Sequence, residues 1–257
     1  MDPIFSSYIP TNIKGLISIP HAGEAFPEEF LPYLTKDKRA LAEDVDFAVD
    51  QLIDIEKLVN AGIAIIVAKV HRTCLDLNRP PEKACLNWKE NTQGVPLVMQ
   101  EPNSDTTQKL TEKYHTPYYN KLTEIIHNNQ QTNRIFPVID LHSMPSRPTA
   151  HHLKLNPQQK TVRPDACISD LKGKSCSADY IDEVVEFLNS NGVKAAKNDP
   201  YFGGYLTQFM APLPCNNIQI EINRHIYMDE KNRTLIPEKV AQVQPIFTRL
   251  ALQLLTR

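Results

Sequence analysis

The sequence predicts an α/β fold with a largely parallel or mixed sheet. Short apolar segments such as residues 16–19 and 63–67 have the composition of buried strands. Longer segments such as residues 40–60 and 237–255 carry apolar residues mostly at three- and four-residue steps, which is typical of amphipathic helices. Strands and helices alternate along the chain. The wholly apolar strand at 63–67 also indicates a sheet that is covered on both faces.

The first half of the chain begins with a polar, proline-broken stretch at residues 1–14, which we expect to be an irregular arm. The strand at 16–19 ends at a proline, which has no N–H for a central ladder. The predicted helix at 40–60 ends just before Gly62, a residue suited to a helix stop. Residues 82–105 show little periodicity and are predicted to form an insertion.

The second half continues the alternation to the end of the chain. A helix is predicted at 106–128, with Pro117 interrupting it or beginning part of it. Residues 143–163 are rich in Pro, His, Lys and Gln, and we expect a mobile loop that covers a site. The remaining predictions are strands at 136–141, 165–169, 193–196 and 218–222, helices at 180–191 and 237–255, and a turn-rich loop at 198–205. Since no repeat or linker is evident, we expect one domain over 1–257.

Composition narrows the class of protein. The net charge is −2 with no basic stripe, so we expect no nucleic-acid partner. There is no apolar run long enough to span a bilayer and no signal-peptide pattern, so a cytoplasmic location is expected. The five cysteines form no C-x-x-C pair, which argues against a disulfide framework and a cysteine-rich zinc site.

Two histidines follow apolar strands in the same way. His21 comes directly after the strand at 16–19 and its proline, and His142 ends the run 136–141. Ligand chemistry in α/β sheets is placed at strand ends, so the pair indicates a metal site. Zinc suits two imidazoles with one carboxylate and an open position for water. A structural, hydrogen-bonded role for each histidine is the simpler alternative.

The third metal ligand is left open by the residues alone. Glu24 lies three residues after His21, a compact spacing like that of carboxypeptidase-type zinc sites. Asp44 and Asp46 form an Asp-x-Asp pair near the start of the predicted helix, where helix capping would also explain them. Glu24 and Asp46 are the favoured candidates.

Glu221 interrupts an alternating strand. Isoleucines at 218, 220 and 222 point to one face, so Glu221 points to the other. The solvent face of an edge strand would explain such an acid. In a partly desolvated pocket beside a metal-bound water, the same carboxylate would be a general base.

Several further residues suggest an anionic substrate. Arg72, Arg79 and Arg224 follow predicted strands, and arginine binds a carboxylate through two parallel hydrogen bonds. Surface salt bridges are the alternative explanation. Gly203 and Gly204 form the only glycine pair in the sequence, which indicates either a tight turn or a close approach of the backbone to a ligand.

Six short motifs in order then resemble the N-formylglutamate amidohydrolase family, over roughly residues 15 to 230. They are Ser18-Ile19-Pro20-His21-Ala22-Gly23, Asp44-Val45-Asp46, Asp76-Leu77-Asn78-Arg79, Asp140-Leu141-His142-Ser143, Asn198-Asp199-Pro200-Tyr201-Phe202-Gly203-Gly204-Tyr205 and Gln219-Ile220-Glu221-Ile222-Asn223-Arg224. The resemblance implies a three-layer α/β/α fold around a mixed sheet, like that of zinc carboxypeptidases. It also implies a zinc enzyme that hydrolyses N-formyl-L-glutamate to glutamate and formate, late in histidine degradation.

The resemblance also implies roles for individual residues. His21 and His142 would hold zinc, Glu221 would be the catalytic glutamate, and Asn78-Arg79 would bind a substrate carboxylate. For the third ligand it points both to Glu24 and to Asp46. One departure is Pro117-Tyr118-Tyr119, where the family often has Pro-Tyr-His.

Two alternatives to this function are kept. One is a related zinc deacylase or carboxypeptidase that acts on another acylated amino acid or peptide. The other is a non-catalytic protein that binds small anions on the same fold. A serine hydrolase is disfavoured because the sequence has no G-x-S-x-G motif.

Overall fold

The structure is a computed structural model that describes residues 4–85, 89–129 and 135–256. Within these ranges the main element is a seven-stranded sheet with the order β1-β3-β2-β4-β7-β5-β6. Its strands are β1 (Phe5–Tyr8), β2 (Gly15–Ile19), β3 (Ile63–Ala68), β4 (Phe136–Met144), β5 (Ala166–Ser169), β6 (Ala195–Lys197) and β7 (Cys215–Asn223). A short hairpin, β8 (Met228–Asp229) with β9 (Thr234–Leu235), stands apart from it.

The sheet is mixed, as the sequence predicts. Strands β3, β2, β4 and β7 are adjacent and parallel, whereas β1 and β5 pair antiparallel with β3 and β7. Strand β6 is parallel to β5. The carboxyl ends of the four central parallel strands therefore meet at one edge of the sheet, where ligand sites of open α/β folds are found.

Helices cover both faces, so the fold has the three α/β/α layers. They are α1 (Lys38–Ala42), α2 (Ile55–Asn60), α3 (Pro81–Ala84), α4 (Ser104–Leu110), α5 (Thr116–Asn128), α6 (Ala150–Leu155), α7 (Ala178–Ser190), α8 (Tyr205–Met210) and α9 (Pro237–Leu255). Helices α2, α7 and α9 pack on one face in a core with Ile218 and Ile220. Helices α5 and α8 pack on the other face in a core with Phe136 and Val138.

Strand β4 shows why the site lies where it does. Phe136 and Val138 belong to the core under α5, and Asp140 and His142 follow at the next two alternate positions. Because alternate residues of a strand share a face, the apolar core gives way to buried polar groups as the strand approaches its carboxyl end.

Among the described residues, no helix combines the length and apolarity needed to cross a bilayer.

The prediction of a single helix at 40–60 is wrong. The segment contains α1, a 3-10 turn at Val49–Leu52 and α2, and Ala48 has a left-handed φ of 53°. Between these pieces the amide of Asp46 donates to the carbonyl oxygen of His21, 3.1 Å away. The apolar side chains are buried at nearly helical spacing, but the backbone bends to bring Asp46 to the site.

Other elements also differ from the predictions. The expected irregular arm at 1–14 contains β1, because its residues 5–8 pair with the edge of β3. The expected loop at 143–163 begins as the end of β4 and contains α6, and the strand expected at 193–196 is shifted to β6. Helix α8 was not predicted. The insertion at 82–105 holds the end of α3 and the start of α4, and its residues 86–88 lie outside the described residues.

Candidate active site

A cavity of about 470 Å³ lies at the carboxyl edge of the parallel strands. His21 follows β2, and Glu221 lies opposite His142 in the register between β7 and β4. The segment after β3 brings Asn78 and Arg79 to the same cavity. The cavity therefore joins residues from four distant parts of the sequence.

His21, Asp46 and His142 form a buried cluster. Their candidate ligand atoms all lie within 4.8 Å of one another, and the three side chains are at most 3% exposed. The Asp46 Oδ2 atom lies 3.1 Å from His142 Nδ1 and 3.7 Å from His21 Nδ1. Both imidazoles thus turn the same ring nitrogen towards one carboxylate oxygen.

A second carboxylate lies behind each imidazole. His21 Nε2 donates to Asp76 Oδ1 at 2.8 Å, and His142 Nε2 lies 3.1 Å from Asp140 Oδ2. A carboxylate on the Nε2 side holds a proton there, so Nδ1 is the nitrogen that can give up its proton to offer a lone pair to a metal ion. This is the usual arrangement behind histidines that ligate metal ions.

The charges of the cluster favour a cation. Burial raises the pKa of Asp46, but its hydrogen bonds to His142 and His21 outweigh burial and hold that pKa below its usual range. Burial lowers the pKa of His142, but Asp140 and Asp46 outweigh it and raise that pKa well above the ordinary value. The carboxylates thus attract positive charge to the imidazoles. Two imidazole nitrogens and one carboxylate oxygen also form a donor set that suits zinc.

The structure separates the three candidates for the third ligand. Glu24, predicted as one candidate for this ligand, is exposed and lies outside the cluster, so the structure does not bring its carboxylate to the two imidazoles. Asp44 lines the cavity, but its carboxylate accepts from the amide and hydroxyl of Thr92 at 2.8 and 2.5 Å. Asp46 is the acid that lies beside both imidazoles.

Glu221 lies next to this cluster and is buried in a central strand. It therefore does not lie on the solvent face of an edge strand, which was the alternative explanation for this acid. Gln219 Nε2 donates to Glu221 Oε1 at 2.8 Å, and Gln219 Oε1 accepts from the amide of Gly204 at 2.7 Å. Burial raises the pKa of Glu221 to about 7, with His142 opposing the rise. A carboxylate with a pKa near neutrality suits a general base.

Two of the predicted substrate-binding arginines hold the loop that carries Asp46. Arg224 donates to the carbonyl oxygens of Glu43 and Val45 at 3.0 and 2.9 Å. Arg72 donates to the carbonyl oxygen of Asp44 at 3.0 Å and to Asp76 at 3.1 Å. Both line the cavity, but these bonds are structural ones that fix the cluster.

Asn78, Arg79, Gly203 and Gly204 also line the cavity. Asn78 Oδ1 accepts from the amide of Leu206 at 2.8 Å, which joins the segment after β3 to the start of α8. A Cβ atom at Gly204 would overlap the side-chain amide of Asn78. Gly204 therefore serves a close approach between two segments of the protein, and the predicted approach of this backbone to a ligand stays a prediction.

Sequence reasoning missed some residues of the site. Asp76 and Asp140 lie in motifs quoted for the family resemblance, and Asp140 sits two residues before His142 on the same strand face. That spacing is the signal that would have found Asp140. Tyr201 and His152 also line the cavity. Tyr201 lies in one of the quoted motifs, whereas His152 was marked only by its place in the predicted loop at 143–163.

An open α/β sheet with a histidine–carboxylate cluster beside a buried glutamate at its carboxyl edge is an arrangement that suits a hydrolase. The sequence model of the N-formylglutamate amidohydrolase family matches residues 13–228. The chain belongs to this family of enzymes, which hydrolyse an amide bond.

Two solved structures resemble the chain over nearly its whole length. An N-formylglutamate amidohydrolase from Ralstonia eutropha JMP134 has 25% sequence identity and a TM-score of 0.82, with 97% of this chain and 96% of that chain covered. The gene product Atu2144 from Agrobacterium tumefaciens has 17% identity and a TM-score of 0.71, with 99% and 94% covered, and shares the fold. A search of curated proteins found no match.

Proposed function

We propose that the protein hydrolyses N-formyl-L-glutamate to L-glutamate and formate, with a zinc ion held by His21, Asp46 and His142. The observation that carries the proposal is the buried cluster of these residues beside Glu221 in one cavity. Family membership and the resemblance to the Ralstonia enzyme support the choice of a formylated amino acid. When bound, zinc would supply Lewis acidity to the formyl oxygen and to a water molecule.

The chain's own residues would carry out the proton transfers and hold the substrate. Glu221 takes a proton from the attacking water and delivers it to the nitrogen that leaves as the amine of glutamate. Gln219 holds one oxygen of Glu221 in place, so the other oxygen serves the water. Asn78 and Arg79, on the segment joined to Gly203 and Gly204, would bind a substrate carboxylate.

Formate release from N-formyl-L-glutamate, measured with and without added zinc, tests the proposal. We expect E221Q to lower kcat by about 10²- to 10⁴-fold while zinc stoichiometry is kept, because only the base is lost. H142A is expected to lose both zinc and activity. E186Q, the same change at an exposed position of α7, is the matched control. Full activity in E221Q or H142A would contradict the proposed mechanism.

A related deacylase with a larger substrate is the second candidate. Leu155 and Phe202 line the same cavity and are 72% and 48% exposed, which gives the cavity an apolar rim. Such a rim would favour a substrate with an apolar group at that end. A panel of N-formyl and longer N-acyl amino acids separates the two, because a preference for longer acyl groups would select the second candidate.

A further inference from the structure

His152 and Tyr201 form a hydrogen-bonded pair in the wall of the cavity, outside the cluster described above. His152 Nε2 lies 2.9 Å from the Tyr201 hydroxyl oxygen. His152 belongs to α6, and Tyr201 belongs to the loop after β6. Neither the metal cluster nor Glu221 uses this pair.

The tautomer of His152 follows from its contacts. The amide of Thr149 donates to His152 Nδ1 at 3.2 Å, and the Thr149 hydroxyl oxygen lies 2.7 Å from the same nitrogen. A backbone amide has only a proton to offer, so Nδ1 is unprotonated. Burial, with Arg163, His151 and Arg224 in support, lowers the pKa of His152 to about 4, so the ring is neutral at neutral pH. Its one proton is therefore on Nε2.

This tautomer decides what Tyr201 does. Because His152 Nε2–H is the donor, the phenol oxygen of Tyr201 accepts in that bond. The hydroxyl proton of Tyr201 is then available to another acceptor. Burial raises the pKa of Tyr201, with Glu221 also raising it and Arg163 and Arg224 opposing, so the phenol keeps this proton.

The position of Tyr201 relative to Glu221 follows from the sheet register. Glu221 pairs with His142 on one side and with Cys167 of β5 on the other. The carbonyl oxygen of Tyr201 accepts from the side chains of Cys167 and Ser169 at 3.5 and 2.8 Å. The backbone of Tyr201 thus lies beside β5, on the side of Glu221 away from His142, and the side chains of Tyr201 and Glu221 line the same cavity.

From these contacts we infer that Tyr201 is a catalytic residue whose hydroxyl donates a hydrogen bond to the substrate nitrogen as the scissile carbon becomes tetrahedral. We infer also that His152 is its positioning residue. The inference rests on the proposed function. Tyr201 keeps its proton throughout, since Glu221 delivers the proton that the leaving nitrogen needs. The lone pair of an amide nitrogen is delocalised and accepts poorly. It becomes an acceptor as the water attacks and the carbon becomes tetrahedral, so this bond forms in the transition state of the attack and raises kcat without changing KM. Glu221 then delivers its proton to the same lone pair, and the bond from Tyr201 is released before the C–N bond breaks.

The kinetic test compares Y201F with the parent enzyme on N-formyl-L-glutamate. We expect kcat to fall about 10- to 100-fold, the size of one hydrogen bond made in the transition state, with KM within about twofold. Y33F, which removes a hydroxyl outside the cavity, is the matched control. A rise in KM at unchanged kcat would assign Tyr201 to substrate binding and overturn the inference.

The link through His152 is tested by a double-mutant cycle. H152L should lower kcat about 3- to 10-fold, H152Q should recover part of the loss because its amide keeps a donor near Nε2, and H152L should cost nothing further in Y201F. NMR of the imidazole nitrogens should show His152 as the Nε2–H tautomer. Additive effects, or the other tautomer, would refute the link.

Failure of this inference is distinguishable from failure of the proposed function. If the parent protein releases no formate, the proposed function fails. If the parent is active, E221Q is inactive and Y201F is as active as the parent, then the proposed function stands and the role of Tyr201 is refuted.

Discussion

Single carboxylates decide the chemistry of each imidazole in the cluster. Asp46 faces the Nδ1 atoms of His21 and His142, whereas Asp76 and Asp140 lie on their Nε2 sides. Each Nε2 atom thereby has its own carboxylate beside it, and the two Nδ1 atoms face the shared carboxylate of Asp46. The same residue type thus has two roles at the site, one as a candidate ligand and one as the group that orients a ligand.

Replacing Asp76 tests the orienting role. In D76N an oxygen can still accept from His21 Nε2, but the charge that favours this tautomer is lost. We expect zinc affinity to fall about 10- to 100-fold and activity to return at high zinc. Competition with a chelator of known affinity measures the change. D105N, at an exposed position of α4, is the control, and unchanged zinc affinity in D76N would contradict the orienting role.

At the scale of elements, the loop before α8 connects the base to the substrate-binding segment. Gly204 donates to Gln219, and Gln219 donates to Glu221. Two residues further along the same segment, the amide of Leu206 donates to the side-chain oxygen of Asn78. A displacement of this loop would therefore move both the base and the candidate substrate-binding residues.

Gly204 is the position where this connection is tested most directly. Its φ is −86°, so alanine there meets no backbone strain, and the effect comes from the overlap of Cβ with Asn78. We expect G204A to lower kcat/KM about 100-fold, the cost of misplacing groups by about 1 Å. Steady-state kinetics measure it.

G192A provides the control for a glycine substitution. Gly192 ends α7 with a φ of +80°, and a Cβ there meets nothing within 4 Å. Alanine at this position should cost about 1–2 kcal/mol of unfolding free energy and leave kcat/KM unchanged. Equal activity of G204A and the parent would show that the close approach to Asn78 is dispensable.

The same scale shows what a sequence pattern can predict. Strands β2, β3 and β4 were predictable because central strands are covered on both faces and are therefore apolar. Strand β7 was predictable because its isoleucines alternate with polar residues. The bend at Asp46 was not, because it depends on bonds from Arg72 and Arg224, which are distant in the sequence. Periodicity reports which side chains are buried, and in this segment burial continues while the helix does not.

For the whole molecule, the sequence predicted which residue types form the candidate site but not which individual residues belong to it. Two histidines after strands indicated a metal site, and the structure brings them together. Spacing alone favoured Glu24 as strongly as Asp46, since the number of intervening residues does not tell where a loop directs a side chain. Edge strand β1 was missed for a related reason, because a half-exposed strand of four residues has no strong apolar pattern.

Stability as a function of pH is a property of the whole molecule, and His71 is expected to contribute to it. The ring is 2% exposed, stacks on Phe26 at a centroid distance of 4.5 Å, and accepts from the amide of Thr73 through Nδ1 at 3.1 Å. Burial lowers the pKa of His71 from 6.5 to about 4, partly offset by a hydrogen bond with the backbone of Leu41. Protonation of Nδ1 would also break the bond from Thr73.

The sign follows from proton binding. Between pH 6.5 and about 4 the unfolded chain binds a proton at His71 and the folded chain does not. The free energy of unfolding therefore decreases as the pH falls through this range. The stabilisation is fully present above pH 6.5, and about 3 kcal/mol is lost by pH 4.

H71N keeps a side-chain acceptor for the Thr73 amide but does not titrate. It should therefore be less stable at pH 8 yet lose less stability on acidification. Urea unfolding across this pH range measures the slopes, with H127N on the exposed surface of α5 as the control. Parallel curves for H71N and the parent would rule out this contribution from His71, because a buried neutral imidazole has to give the parent the steeper fall.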